Sequence, residues 1–443
     1  MSLRRISNWL ACAAVFLTLV MATPAVAEQV VIQRHVTIRE AASRQSRVVI
    51  YPDVGARFEL LDEGRQSRGY YHIRLPDGRA GWVYRTFVRR EPDAGPGDAA
   101  PDAPVGNQMV AHFIDVDQGA AALLEFPCGA VLIDAGGFGP PFVPPNRPSD
   151  AGPIGDHLID YLNRFFARRT DLNRTLSAVF ISHAHVDHNR YLQRVVEGFT
   201  VRGYVHNGSI RGHSASWHAN WMDRRVRAAA TAIPWDAITE ADLRAAGTAG
   251  VTNSIIDPVN CQGTDPLIRV LQGGRTTNPG WNSDDWGDDN NHSLVIRIDY
   301  DQASFLFSGD METRALEALV AQYDATDLLD VSVWAVGHHG SYNGITRGLV
   351  EEVTPEVAVL SVGPHTRRGG YTAYEHGHPR EVVFDELERV MPTNMAPRNV
   401  MVARGQRNFV SRAIRSAIYA TGWNGDVTVS AQADGTIRVR TSR

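Results

Sequence analysis

Residues 176–188 read Leu-Ser-Ala-Val-Phe-Ile-Ser-His-Ala-His-Val-Asp-His. The first seven form an apolar run with β-branched members, the pattern of a buried strand. The last six carry His183, His185, Asp187 and His188. The stretch therefore predicts candidate ligands on the loop leaving a strand's C-terminal end, where the sites of open α/β sheets gather. Three imidazoles and a carboxylate in so short a span are hard to accommodate without a cation. Neutral imidazole with carboxylate suits zinc, with manganese or iron as alternatives.

Working outward, the same arrangement recurs. Residues 304–308 (SFLFS) form an apolar strand ending at Gly309-Asp310, and residues 330–336 (DVSVWAV) form another ending at Gly337-His338-His339-Gly340-Ser341. Asn290-Asn291-His292-Ser293 opens a strand over 294–298. A lone Asp after a strand commonly caps a helix, but His-His-Gly-Ser beside the first motif points to ligation.

The 443 residues allow two or three domains, and 43% hydrophobic content supports packed cores. The formal charge of −5 gives no global basic field for nucleic acid or an anionic membrane, so nucleic acid enters as a substrate only. The arginines clustered between Arg164 and Arg227 read mainly as solvated helix faces.

Arg4-Arg5, an apolar stretch over 10–21 and Ala25-Val26-Ala27 read as a secretory signal over 1–27. A retained anchor is the alternative, although the run is short for a spanning helix. The expectation is an exported, periplasmic or extracellular protein without stable membrane insertion. Cys12 lies in the signal. Cys128 and Cys261 either pair or stay apart, and the reading favours two unrelated buried thiols.

Residues 28–91 alternate short β-type runs (36–39, 57–61, 70–75, 81–84) with turns such as Pro76-Asp77-Gly78, which predicts a small all-β barrel. It resembles the bacterial SH3-like domain, carried by Ile38-Arg39, Val54-Gly55, the run 71–74 and Gly81-Trp82-Val83. That resemblance implies a wall- or peptide-binding module, with peptidoglycan as partner; a spacer that binds nothing is the alternative. Residues 92–106, rich in Pro, Gly, Ala and Asp, read as a flexible linker.

The remainder, 107–443, predicts strands at 109–116, 121–126 and 130–134, a helix over 154–168 and the strand 176–182. The Pro-rich segment 139–153 reads as part of the site's rim. Residues 206–288 form an insertion holding Trp217, His218, Trp221, Trp235, Trp281 and Trp286, either an aromatic lid or ordinary core.

From about Gln108 onward the chain resembles the metallo-β-lactamase superfamily, and within it the extracytoplasmic hydrolase-like domain of the competence protein ComEC. The resemblance is carried in order by His112-Phe-Ile-Asp-Val-Asp-Gln-Gly119, Val131-Leu-Ile-Asp134-Ala-Gly-Gly137, the hexapeptide 183–188, Asn290-Asn-His-Ser-Leu-Val295 and Phe307-Ser-Gly-Asp310. Gly337-His-His-Gly-Ser341, Leu360-Ser-Val-Gly363, Gly377-His378-Pro379 and a terminal hairpin near Gly425 and Asp434 complete it. It implies an α/β fold of αββα type, a four-layer sandwich, behind the SH3-like barrel.

Three departures stand out. The family commonly shows Gly-Gly-Asp where this chain has Asp117-Gln118-Gly119-Ala120, Gly-Gly where it has Asn189-Arg190, and Asn where it has His292. The wider superfamily places a metal-binding His at that last position.

The resemblance further implies two divalent cations. His183, His185 and His292 would hold one; Asp187, His188 and a histidine of the 338–339 pair would hold the other, with Asp310 between them. Such a pair activates water as a nucleophile. Asp134 would orient a ligand histidine, His378 would donate a proton or serve structurally, and Ser341 would receive a substrate oxygen. The implied function is an exported hydrolase cutting a phosphodiester in a nuclease-type reaction, or a small or envelope phosphodiester. Alternatives are lactam, lactone or thioester hydrolysis, and a non-catalytic wall-binding protein.

Overall fold

The computed structural model describes residues 29–91, 106–138, 153–209, 216–228 and 233–443. The expected signal, nearly all of the expected linker and most of the Pro-rich rim segment lie outside the described residues.

The strands Ala122–Phe126, Gly129–Ile133, Ala178–Ile181, Ala303–Phe307 and Val357–Leu360 are buried at every position. Continuous apolar runs of this kind suit strands covered on both faces. They belong to two facing sheets. The first runs from Trp235–Ala237 through Tyr204–His206, Ala178–Ile181, Gly129–Ile133, Ala122–Phe126, Gln108–Phe113 and Val427–Gln432 to Ile437–Thr441. The second runs from Leu267–Gln272 through Val295–Tyr300, Ala303–Phe307, Val333–Ala335 and Val357–Leu360 to Ile418–Ala420. Strands that end at the candidate ligands pair in parallel: Gly129–Ile133 with Ala178–Ile181, and Ala303–Phe307 with Val333–Ala335. Parallel pairing gathers their C-terminal ends at one edge of the sandwich.

Between the sheets lie Phe113, Phe126, Phe180, Tyr300, Phe305 and Phe307, with Phe113 stacked on Phe307 at 5.8 Å. Helices cover the outer faces. Pro153–Arg168 buries Leu158, Leu162, Phe165 and Phe166, a helical stripe, on the first sheet. Each such side chain contributes roughly 1.5–3 kcal/mol by leaving water. Thr313–Tyr323, Arg347–Val353 and Glu381–Val390 cover the second sheet. The layers are therefore helix, sheet, sheet, helix, as the resemblance implies. The terminal hairpin Val427–Gln432 and Ile437–Thr441 docks its alternating buried face beside Gln108–Phe113.

Residues 29–91 build a separate small β unit with its own core of Val30, Ile32, Ile38, Phe58, Ile73 and Val83. It is bonded firmly to the larger unit. Arg85 is buried between Asp330 (2.9 Å) and Glu356 (3.0 Å), and the Tyr84 hydroxyl reaches Asp330 and Thr354. The Gln66 N–H donates to Gln302 Oε1 at 2.8 Å.

One sequence expectation changes here. Cys128 and Cys261 form a disulfide, with Cα atoms 5.4 Å apart across 133 residues of sequence, rather than two unrelated buried thiols. Cys128 sits exposed on the turn between Ala122–Phe126 and Gly129–Ile133, where the segment carrying Cys261 returns beside it. Of the tryptophans, Trp221 and Trp235 pack on the first sheet's outer core and Trp281 on the second's, while Trp286 meets the ring of His292 at 5.0 Å. The side chain of Trp217 lies outside the described residues.

Candidate metal centre

Strand Ala178–Ile181 ends at Ser182-His183, and one turn of helix over Val186–Asn189 presents Asp187 and His188. The neighbouring strand Gly129–Ile133 ends at Asp134, whose left-handed backbone (φ 59°) turns its carboxylate toward that loop. Asp134 accepts the Ser182 N–H at 2.7 Å, the Ser182 hydroxyl at 2.9 Å and the His188 Nδ1–H at 2.7 Å. This fixes the orientation of His188 and aims Nε2 at Asp310, 3.1 Å away.

The loop is also clamped through its backbone. The N–H groups of Ala120 and Ala135 donate to the carbonyls of Asp187 and His188 at 2.9 and 2.8 Å. Gly136 lies against the Asp187 carbonyl, and a β-carbon there would overlap it. Glycine is required by that close approach.

The second sheet supplies the other half. Asp310 follows Ala303–Phe307, its N–H donating to the Ser293 hydroxyl at 3.1 Å. His338 and His339 follow Val333–Ala335, both left-handed (φ 49° and 52°). Such backbone in non-glycine residues costs of order 1–3 kcal/mol each and persists where surrounding contacts enforce it. Here His339 Nδ1–H donates to the Ser361 carbonyl at 2.6 Å, and Nε2 stands 3.2 Å from Asp310 and 3.3 Å from Asp187.

Asp187, His188, Asp310 and His339 thus each bring a donor atom within 4.8 Å of the others. Nε2 of His188 and of His339 are buried and close to carboxylate, yet neither aligns in a hydrogen bond. Two imidazole nitrogens and two carboxylates aimed at a common point fit a divalent cation.

Electrostatics agree. Burial works against charge on His188 and His339, but Asp310 and its acidic neighbours overcome this; His188 is raised well above the ordinary range and His339 to about 10. Burial also opposes ionisation of Asp310, yet the same imidazoles hold it well below the usual carboxylate range. Protons hold this group together where a cation would compete for the same lone pairs.

The remaining expected residues fall around these four. His183 is fully buried, its ring 4.3 Å from that of His188 and 4.7 Å from that of His185; its Nε2 lacks a hydrogen-bond partner. Burial and the two neighbouring imidazoles keep it neutral, pushing its pKa well down. His292 is not brought to the group. Its Nδ1 accepts the Arg275 N–H at 3.2 Å and its Nε2 meets the Trp286 carbonyl at 3.0 Å, so the expectation that it completes a ligand set is not met in this geometry. His338 faces Glu312 (3.6 Å) instead of the acidic pair. Ser341 is buried and donates to Asn343 at 2.6 Å. His378 lies 6.3 Å, ring to ring, from His339, with Nδ1 3.4 Å from the Gln118 amide.

Sequence reading passed over three contributors. Ser182 stands directly before the hexapeptide, and Ser361 lies inside a quoted motif, but its part is played by a backbone carbonyl, which no side-chain pattern announces. Glu312, beside His338, carries no motif at all.

Comparison with known proteins now bears on this geometry. The sequence model of the family described as "Metallo-beta-lactamase superfamily" matches residues 114–365. "Competence protein ComA" of Neisseria gonorrhoeae is 36% identical over 100 residues, covering 23% of this chain and 13% of that protein. "Recombination protein 2" of Haemophilus influenzae is 39% identical over 75 residues, covering 17% of this chain and 9% of that protein. The chain therefore spans only a small part of the curated relatives it matches. Among solved structures, the metallo-beta-lactamase fold protein YhfI from Bacillus subtilis aligns with TM-score 0.34 and 11% identity, over 64% of this chain and 93% of that one.

Proposed function

Because the chain belongs to the metallo-β-lactamase superfamily, we propose that it is an exported hydrolase that holds two divalent cations, zinc foremost, and cuts a phosphodiester in a nuclease-type reaction. The observation that carries the reading is the convergence of the His188 and His339 Nε2 atoms with the Asp187 and Asp310 carboxylates. His183 and His185 would hold the first cation and Asp187, His188 and His339 the second, with Asp310 between. When bound, such ions supply Lewis acidity and bring the pKa of water from about 16 toward 7.

The chain's own groups do the rest. Asp134 keeps His188 in one tautomer and orientation. The Ser361 carbonyl does the same for His339. His378, near His339 and with Nδ1 facing the Gln118 amide, would contact the leaving oxygen or give it a proton. The competence and recombination relatives support a phosphodiester over a lactam. The disulfide supports export to an oxidising compartment. The small β unit reads as an SH3-like module, with peptidoglycan as its partner.

The test is a substrate panel on the metal-reconstituted protein: bis-p-nitrophenyl phosphate, single-stranded DNA, p-nitrophenylphosphorylcholine, a cephalosporin and a thioester. Phosphodiester turnover that disappears in Asp187→Ala and Asp310→Ala is expected. Lactam turnover without phosphodiester turnover overturns the reading.

A further inference from the structure

Asp117 has left-handed backbone, at φ 63°. The side chain is 4% exposed and tightly packed; a β-carbon on the facing Gly363 would strike its carboxylate. A buried acid in left-handed backbone is an expensive arrangement. Its partner is Arg367, whose Nε lies 2.5 Å from Asp117 Oδ2. The other carboxylate oxygen accepts the Gln118 N–H at 2.8 Å.

The Arg367 side chain is 42% exposed, and its guanidinium lies over the Phe138 ring at 5.2 Å. Asp117 thus holds one edge of the fork and Phe138 supports the plane. Among the described residues the two Nη groups of Arg367 make no hydrogen bond.

This arm is linked to the metal centre through its neighbours in the chain. Three residues after Asp117, Ala120 bonds to the Asp187 backbone, so Asp117 lies within about 11 Å of that contact. The next residue, Gln118, spans from the Gly363 N–H (3.3 Å) to His378 (3.4 Å), and His378 stacks toward His339.

We propose that Arg367, aimed by Asp117, grips a second anionic group of the substrate, a phosphate beyond the one that is cut, and so selects substrates carrying two phosphates. Planar bidentate contact is what a guanidinium offers a phosphate and an ammonium does not. The inference rests on the phosphodiester reading above.

The experiment is calorimetric titration of the metal-loaded full chain with thymidine 3′,5′-bisphosphate and with thymidine 3′-monophosphate. The wild-type protein should bind the bisphosphate about tenfold or more tightly than the monophosphate. Arg367→Ala should abolish that preference and Arg367→Lys should retain part of it. Arg368→Ala should keep it, because Arg368 is stacked on Tyr374 and bonded to the His365 carbonyl. Equal binding of both nucleotides by the wild type, a preference that survives Arg367→Ala, or equal loss in Arg368→Ala overturns the proposal. Wild-type turnover of bis-p-nitrophenyl phosphate judges the reaction separately: if it is nil while the preference depends on Arg367, the hydrolase reading fails and the anion contact stands.

Discussion

At the scale of single residues, Asp134 shows how one carboxylate sets the chemistry of another side chain. It satisfies Ser182 twice and His188 once, all within 2.9 Å. Asp134→Asn keeps the shape but offers an N–H where His188 needs an acceptor. Metal affinity should fall about 10- to 100-fold, read by titration of the apo protein with zinc. A second histidine makes a pH prediction. His206 is buried between Tyr204 and Trp235, and its Nδ1 accepts the Gly208 N–H at 3.2 Å, so burial holds its pKa down at about 4. The unfolded chain takes up this proton near pH 6.5, whereas the folded chain resists it. Its stabilisation is therefore complete above pH 6.5 and is lost as pH falls toward 4. The amount is on the order of 3 kcal/mol. Thermal melts across that window should show the decline, and His206→Gln should flatten part of it.

At the scale of elements, the loops after the strands carry the site, and their geometry depends on close backbone approach. Gly136→Ala would force the Asp187 carbonyl outward. The expected result is loss of metal binding by tenfold or more with the far-ultraviolet circular dichroism retained, since the strands themselves are untouched. Strand ends were legible because apolar runs such as 304–308 stop abruptly at Gly309-Asp310, and strand Ala303–Phe307 stops there too. Helix Pro153–Arg168 was legible from the spacing of Leu158, Leu162 and Phe165. The choice between His338 and His339 was not. Both follow the same strand with the same left-handed backbone, and the Ser361 carbonyl, just past an adjacent strand, turns one ring inward. The position of His292 was hidden for a related reason: its sequence neighbours match a ligand motif, whereas in this structure its ring nitrogens meet backbone groups of residues 275 and 286.

At the scale of the whole molecule, long-range pairing decides what local pattern cannot. Cys128 and Cys261 gave no spacing signal, because their proximity depends on how the insertion returns to the sheet. The contact between the two units was equally hidden. Arg85 is an ordinary arginine in sequence, yet it is buried between Asp330 and Glu356. Removing one member of a buried pair leaves its partner's charge uncompensated. Arg85→Met should cost about 3–5 kcal/mol in urea unfolding, and adding Asp330→Asn should restore part of that.

That interface sits at a telling position. Asp330 lies just ahead of strand Val333–Ala335, and Thr354 and Glu356 just ahead of Val357–Leu360. The far ends of the same two strands deliver His339 and the carbonyl that orients it. The small unit is thus mounted at the opposite end of the struts that carry the reactive mouth. A ligand bound to that unit would therefore sit at the far ends of these strands from the candidate metal centre.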